Sequence, residues 1–197
     1  MILKNIIIYR DITYEQNYNK KDMYKGSIIL QNDGYFEGIV KSENPDTEHF
    51  IFGIIYQNKF VLMYKLSARI SEVPSRIEAK LESNNSFEGN ISEIELFGEI
   101  VCGNCKINIM DRKFGTMERV NETFLDKKIH NFKIYTLDKL SLDFYQAKLS
   151  EIRLLSVDDL ENMAFECNPV NKNLMNSNTY YKLTRKVTNI FEPKNFK

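Results

Sequence analysis

The chain has 197 residues, of which 27 are Lys or Arg and 27 are Asp or Glu, so its formal net charge at pH 7 is zero. It is 43% hydrophobic and contains three cysteines and no tryptophan. A chain of this length and composition buries a hydrophobic core without disulfide or metal cross-links, which excludes intrinsic disorder. No apolar run is long enough to predict a membrane-spanning helix. The balanced charge disfavours a surface built over its whole area to bind nucleic acid.

The first ten residues do not have the pattern of a secretory signal, because Lys4, Asn5 and Arg10 interrupt the apolar run. This stretch instead predicts a first strand over Ile6–Ile12. Three cysteines are an odd number, which suits a reducing compartment better than a disulfide scaffold. We therefore expect a cytoplasmic protein.

Apolar runs separated by turn residues predict a series of antiparallel strands in the first part of the chain. Asp33-Gly34 stands between two such runs and indicates a hairpin, because glycine adopts positive φ without a steric penalty. Arg76–Glu82 alternates polar and apolar residues, as half-buried antiparallel strands do. The other predicted strands are Gly26–Leu30, Tyr35–Val40, Phe50–Tyr56, Phe60–Leu66, Ser86–Ile91, Leu96–Cys102 and Cys105–Met110.

Two stretches of the chain, 26–66 and 77–112, resemble each other and are candidate β-repeats. The matching elements are Phe36-Glu37-Gly38 with Phe87-Glu88-Gly89, and Phe52-Gly53 with Phe97-Gly98. Glycines inside strands mark bulges and bends, so the sheet is expected to curve. The sequence therefore predicts a mainly β fold, in which an antiparallel curved sheet forms a barrel or a sandwich.

The C-terminal part is expected to be a short helix and a basic element, residues 156–197, packed on a β domain that spans residues 1–155. Ser156 is the predicted N-cap of the helix, and the acidic residues that follow it suit the positive end of the helix dipole. Residues 133–137 and 140–144 are strand-like. Residues 171–197 hold six Lys or Arg and one Glu, so their net charge is 6 − 1 = +5. This segment either docks on its own domain or binds nucleic acid or anionic lipid.

Cys102-Gly103-Asn104-Cys105 is the sharpest local motif. Gly103-Asn104 predicts a two-residue hairpin turn, which would place both sulfurs on one face of adjacent strands. Two thiolates so placed are half of a tetrahedral zinc site, and Cys167 and His130 are the candidates for the other half. The alternative is that both cysteines are small apolar residues that flank a turn.

Other titratable residues give weaker signals. His49 and His130 are each expected to be solvated loop histidines. Glu37 and Glu88 occupy matching places in the candidate repeats, and a paired-acid catalytic site would require them to meet in a cavity. On alternating strands they are instead expected to point to water.

No phosphate-binding loop, dinucleotide fingerprint, zinc-protease helix or nucleophile elbow is present in the sequence. The leading hypothesis is therefore a non-catalytic cytoplasmic module that binds a protein partner or self-associates. The first alternative is a β-barrel carrier that binds a small apolar ligand in its interior. The second is a zinc-stabilised or metal-dependent protein that uses Cys102 and Cys105. Nucleic acid is an unlikely partner outside the 171–197 segment.

Overall fold

Eight antiparallel strands form a closed up-and-down barrel in which each strand pairs with its neighbours in sequence and the first strand pairs with the last. The computed structural model of the chain describes residues 8–17, 21–43, 46–67, 74–94, 100–111 and 118–169. The strands are β1 Ile8–Asn17, β2 Lys21–Leu30, β3 Tyr35–Ser42, β4 Glu48–Tyr56, β5 Phe60–Ser67, β6 Ser75–Ser83, β7 Ser86–Ile94 and β8 Ile100–Asp111. The predicted mainly β, antiparallel fold is confirmed, and the sheet closes into a barrel rather than a sandwich.

The two ends of the barrel differ. At one end, which we call the turn end, short turns join β2 to β3, β4 to β5 and β6 to β7. Gly34 has a φ of 90°, and the pairs Gln57–Asn58 and Asn84–Asn85 also have positive φ. These left-handed conformations match the twist of the paired strands, which explains why Gly and Asn occupy the turns. At the opposite end the remaining connections join β1 to β2, β3 to β4, β5 to β6 and β7 to β8.

Alternate residues of each strand fill the barrel interior, which is the first of two hydrophobic clusters. Phe36 and Phe87 occupy the interior toward the turn end and are each only 2% exposed. Eight strands leave an interior just wide enough for side chains to fill. The other apolar interior residues are Ile12, Tyr14, Tyr24, Ile28, Val40, Ile51, Ile55, Val61, Met63, Ile77, Ala79, Ile91, Cys105, Ile107 and Ile109.

Three α-helices and a π-helical turn follow the barrel: α1 Glu118–Asn131, the π turn Phe132–Thr136, α2 Lys139–Leu154 and α3 Val157–Glu166. They cover the outer faces of β3, β4 and β5 and form the second hydrophobic cluster with them. Phe50 and Phe52 contact the ring of Tyr145 edge-on, with ring centroids 5.3 and 4.9 Å apart. No helix in the described ranges is both long and apolar enough to cross a lipid bilayer.

Polar contacts also hold the helices against the outer wall. The Lys133 ammonium lies 2.7 Å from a carboxylate oxygen of Glu37, and the Tyr145 hydroxyl donates to the other oxygen. Burial raises the pKa of Tyr145, and its hydrogen bond to the Glu37 carboxylate raises it further. The Tyr56 hydroxyl donates to Glu161 of α3 over 2.8 Å. The carboxylate of Glu37 therefore links β3 to the helices.

The predicted helix at 156–165 is confirmed as α3, and its N-terminus has the expected cap. The Ser156 side chain accepts a hydrogen bond from the backbone N–H of Asp159, and the Asp159 carboxylate accepts from the backbone N–H of Ser156. This reciprocal arrangement is a capping box, which satisfies amide groups that the first helical turn leaves without intrahelical acceptors. The 171–197 segment lies outside the described residues.

The two strands predicted at 133–137 and 140–144 are wrong. Phe132–Thr136 is a π-helical turn, and Leu140–Phe144 lies within α2, whose N-cap is Asp138. Apolar residues in both stretches contact the outer wall at helical spacing, and a short apolar run does not distinguish a strand from a buried helix. In the described residues the last strand ends at Asp111, and the division of the chain at residue 155 stays a prediction.

The hairpin turn predicted at Gly103-Asn104 is also wrong, because β8 runs without interruption from Ile100 to Asp111. The strand pairs with β7 from Ile100 to Asn108 and with β1 from Asn104 to Asp111. Pairing with neighbouring strands overrides the local turn tendency of the Gly-Asn dipeptide.

The candidate repeats contain two hairpins with the same register. Leu30 lies opposite Phe36 in one, and Leu81 lies opposite Phe87 in the other. Phe97-Gly98 lies outside the described residues, so the match of that element stays a prediction. The shared register shows that the Phe-Glu-Gly motif plays the same part in both hairpins: phenylalanine inward and glycine at a close strand contact.

We expect Gly38→Ala to destabilise the barrel. A Cβ atom at this position would lie 2.7 Å from the Cγ2 atom of Ile28 and would also clash with the carbonyl oxygen of Ser27. Overpacking of this kind costs about 1–3 kcal/mol of unfolding free energy. Urea denaturation would measure the loss, with Lys41→Ala on the exposed face of the same strand as the control. Equal unfolding free energies for the two variants would contradict the close contact.

Ser156→Ala is expected to lower the unfolding free energy by about 1 kcal/mol through loss of the helix cap. Hydrogen bonds from the backbone and side chain of Ser156 lower the pKa of Asp159. The Asp159 carboxylate therefore stabilises the folded state fully at pH values above the ordinary pKa of an aspartate. This contribution is lost as the pH falls through the lowered pKa. The wild type should lose stability more steeply than Ser156→Ala in that acid range. Ser150→Ala on α2 should behave as the wild type does.

Candidate functional site

Polar side chains converge inside the barrel at the end opposite the short turns. Seven of the eight strands contribute to this layer, which we call the polar ring. Its members are Gln16 on β1, Tyr24 on β2, Ser42 on β3, His49 on β4, Lys65 and Ser67 on β5, Ser75 on β6 and Glu93 on β7. Strand pairing brings the members side by side, with Tyr24 opposite Ser42, His49 opposite Ser67, and Ser75 opposite both Lys65 and Glu93. The interior is thus apolar toward the turn end and polar toward the other.

Lys65 is the charged group at the centre of the ring, and it is only 6% exposed. Its ammonium donates to the Oε1 atom of Gln16 over 2.9 Å and to the hydroxyl of Tyr24 over 3.2 Å. The same Oε1 atom accepts a hydrogen bond from the hydroxyl of Tyr14 at 2.7 Å. The side chain of Gln16 therefore ties the ammonium to the aromatic layer beneath it.

Aromatic rings form one wall around the ammonium. The Nζ atom of Lys65 lies 4.4 Å from the ring centroid of Tyr24 and 5.7 Å from that of Tyr14. These two rings stack with their centroids 5.0 Å apart, and His49 meets the ring of Tyr24 edge-on at 5.4 Å. The negative faces of the rings attract the cation, and such contacts strengthen when water is excluded.

Hydroxyl groups complete the ring on the other side. The Ser75 hydroxyl donates to the Oε1 atom of Glu93 over 2.8 Å. The Ser42 hydroxyl lies 3.1 Å from that of Thr47, just beyond the end of β3. The ring therefore combines a cation, a carboxylate, an imidazole, hydroxyls and an amide within one layer of a barrel.

A buried ammonium is costly, because removing one ion from water costs several kcal/mol even after the protein relaxes. An apolar residue would fill position 65 at lower cost. Val61 and Met63 fill the other inward positions of β5 toward the turn end in this way. The cost is offset here by the hydrogen bonds to Gln16 and Tyr24 and by the aromatic faces. Convergent polar groups inside a barrel make this ring the candidate binding site.

Lys65 and His49 were not identified from the sequence as a site. The expectation that His49 is solvated is wrong, because it is 6% exposed and faces the barrel interior. The sequence does contain one signal. Phe60–Ser67 is an apolar run that ends in a serine, and Lys65 is its single charged residue. A lysine inside a strand that is apolar on both faces must point either into the core or beneath another element.

The cysteines and histidine of the predicted zinc site lie in different parts of the fold. Cys105 faces the barrel interior, Cys167 follows α3 on the outer wall, and His130 is exposed in the last turn of α1. Cys102 lies in β8 opposite Ser92. Burial raises the pKa of the Cys105 thiol, and it raises that of Cys167 to about 11. Within the described ranges, no cluster of three or more His, Cys, Asp or Glu residues could hold a metal ion.

The two glutamates of the candidate repeats do not meet. Glu37 and Glu88 lie on the outer faces of β3 and β7, which are four strands apart around the barrel. Glu88 pairs with Lys106 at 3.3 Å. The expectation that Glu37 points to water is wrong, since Lys133 and Tyr145 enclose its carboxylate beneath the helices.

Comparisons of this chain with protein-family models, with curated proteins and with solved structures find no match.

Gln16→Leu should destabilise the protein by about 1–3 kcal/mol, because the Lys65 ammonium and the Tyr14 hydroxyl both lose this buried acceptor. The double variant Gln16→Leu with Lys65→Met should regain most of the loss, since it removes the buried charge as well. Thermal or urea unfolding would measure both effects, with Gln146→Leu on the exposed side of α2 as the control. Additive losses in the double variant would show that Gln16 and Lys65 are not coupled.

Proposed function

We propose that this protein is a non-catalytic binding protein whose barrel holds a small polar molecule at the polar ring, with an anionic group of the ligand against Lys65. The observation that carries the proposal is the buried ammonium of Lys65 inside a closed barrel, hydrogen bonded to Gln16 and Tyr24 and placed over the ring of Tyr24. Charge-assisted hydrogen bonds from a lysine to a carboxylate or phosphate are roughly twice as strong as neutral ones.

The size and polarity of the ligand follow from the rest of the interior. Phe36, Phe87 and the aliphatic residues around them fill the barrel toward the turn end. A long apolar chain of the kind expected for a carrier would have to displace this core. A compact ligand that stays within the polar ring keeps the core intact. Rings of Tyr14 and Tyr24 favour a ligand with a flat or aromatic portion beside its anionic group.

The position of the polar ring along the barrel also supports the proposal. It lies at the end of the barrel where β1, β3, β5 and β7 finish, opposite the short turns. Binding sites of up-and-down barrels are commonly found in the mouth of the barrel, because connections at the strand ends vary while the strands hold the site rigid.

Lys65→Met tests the proposal, with Lys106→Met on the outer wall as the matched control. Benzoate serves as the anionic aromatic probe, and benzamide serves as its neutral counterpart. Benzoate should raise the melting temperature of the wild type and of Lys106→Met, and benzamide should have a much smaller effect. Lys65→Met should lose the response to benzoate while its ligand-free melting temperature stays equal or rises, because an apolar residue replaces a buried charge.

Native mass spectrometry of the three full-length proteins provides a second measurement. A small molecule that copurifies with the wild type and with Lys106→Met should be absent from Lys65→Met. The proposal is overturned if Lys65→Met retains the same bound mass and the same benzoate response. It is also overturned if benzoate does not raise the melting temperature of the wild type and Lys65→Met is strongly destabilised, since the ammonium would then have a purely structural role.

A further inference from the structure

A groove on the outside of the barrel is independent of the polar ring. It runs between α1 with its π turn and the outer faces of β2, β3 and β4, and we call it the α1 groove. It consists of two adjoining hollows of about 380 and 290 Å³. Both hollows are lined by Glu48, Phe124 and Lys128, so they form one continuous depression.

The α1 groove is apolar at its base and aromatic at its edge. Ile39, Leu125 and Phe132 are buried and line its floor. Phe124 is 63% exposed and Tyr135 is 80% exposed, although both belong to the helical layer that covers the barrel. Exposed aromatic side chains beside an apolar hollow are typical of protein-binding surfaces, where such residues contribute most of the binding energy.

The rim of the groove is basic. Four of its lining residues are lysines, at positions 25, 41, 127 and 128, and one is Glu48, so the lining carries a net charge of 4 − 1 = +3. Three of these lysines form surface ion pairs with nearby carboxylates. The pairs are Lys25 with Glu43, Lys41 with Asp46, and Lys128 with Glu48. Exposed pairs of this kind contribute little stability, so an incoming carboxylate can exchange with the resident one.

We propose that the α1 groove docks an acidic segment of another protein, with one aromatic or aliphatic side chain inserted into the hollow beside Phe124. The lysine rim then pairs with acidic residues on either side of the inserted side chain. Charge complementarity of this type sets partner choice and speeds association.

Three segments of this same chain, at its two ends and between β8 and α1, are poor occupants on electrostatic grounds. Residues 170–197 carry a net charge of +5, residues 112–117 carry +2 and residues 1–7 carry +1. Like charges across an interface are unfavourable, so the basic rim disfavours each of these segments. A nucleic-acid strand would also be attracted to the lysines, but it binds by stacking bases on aromatic platforms. Two adjoining hollows with a buried apolar floor fit an inserted side chain better.

Selection from a random twelve-residue peptide library on the full-length protein is the test. The selected peptides should be acidic and should share one aromatic or aliphatic position. Their affinity, measured by fluorescence anisotropy, should fall with added salt. It should also fall about tenfold or more in Phe124→Ser, since loss of a central aromatic anchor has a cost of this size. Lys127→Glu should weaken the same peptides through charge reversal.

Phe165→Ser is the matched control, because Phe165 is also an exposed aromatic residue and lies on α3, away from the groove. This variant should bind the peptides as the wild type does. The proposal is overturned if the library yields no binder, if the binders are not acidic, or if Phe124→Ser binds them with wild-type affinity. Displacement of the peptides by a single-stranded oligonucleotide at lower concentration would overturn it in favour of a nucleic-acid surface.

Discussion

Pairing of β1 with β8 is the contact on which the rest of the structure depends. The ladder between them runs from Arg10 opposite Asp111 to Asn17 opposite Asn104, and it removes both free edges of the sheet. Successive side chains of a strand point to opposite faces. Once the sheet is closed, they therefore alternate between the inside and the outside of the barrel. The apolar core, the polar ring and the outer wall are all consequences of that division.

Closure also explains why β4 and β5 are buried on both faces. β4 and β5 have almost no exposed residue, because the barrel interior lies on one side of them and the helices lie on the other. A strand buried on both faces does not alternate, so its sequence resembles a run of core residues. The helical layer is therefore required by the barrel, since without it Phe50, Phe52 and Tyr64 would face water.

Most of the strands, and the turns at the turn end, could be predicted from the sequence because both depend on local patterns. The Asp33-Gly34 turn and the alternation of Arg76–Glu82 are examples. The helices that contain residues 133 and 140–144 could not, because a short apolar run is compatible with either structure and long-range packing decides between them. The polar ring could not be predicted for a related reason. Gln16 and Lys65 are 49 positions apart, and only the closed barrel brings them together.

The apolar part of the interior offsets the energetic cost of the polar part. Burial of Phe36, Phe87 and the aliphatic residues near the turn end contributes roughly 1.5–3 kcal/mol for each large side chain. This surplus stabilises strands that also carry a buried lysine, a histidine and a carboxylate at their other ends. A barrel that needed only stability would continue the apolar core to both ends. The polar layer is thus a cost that the apolar core of the same barrel offsets.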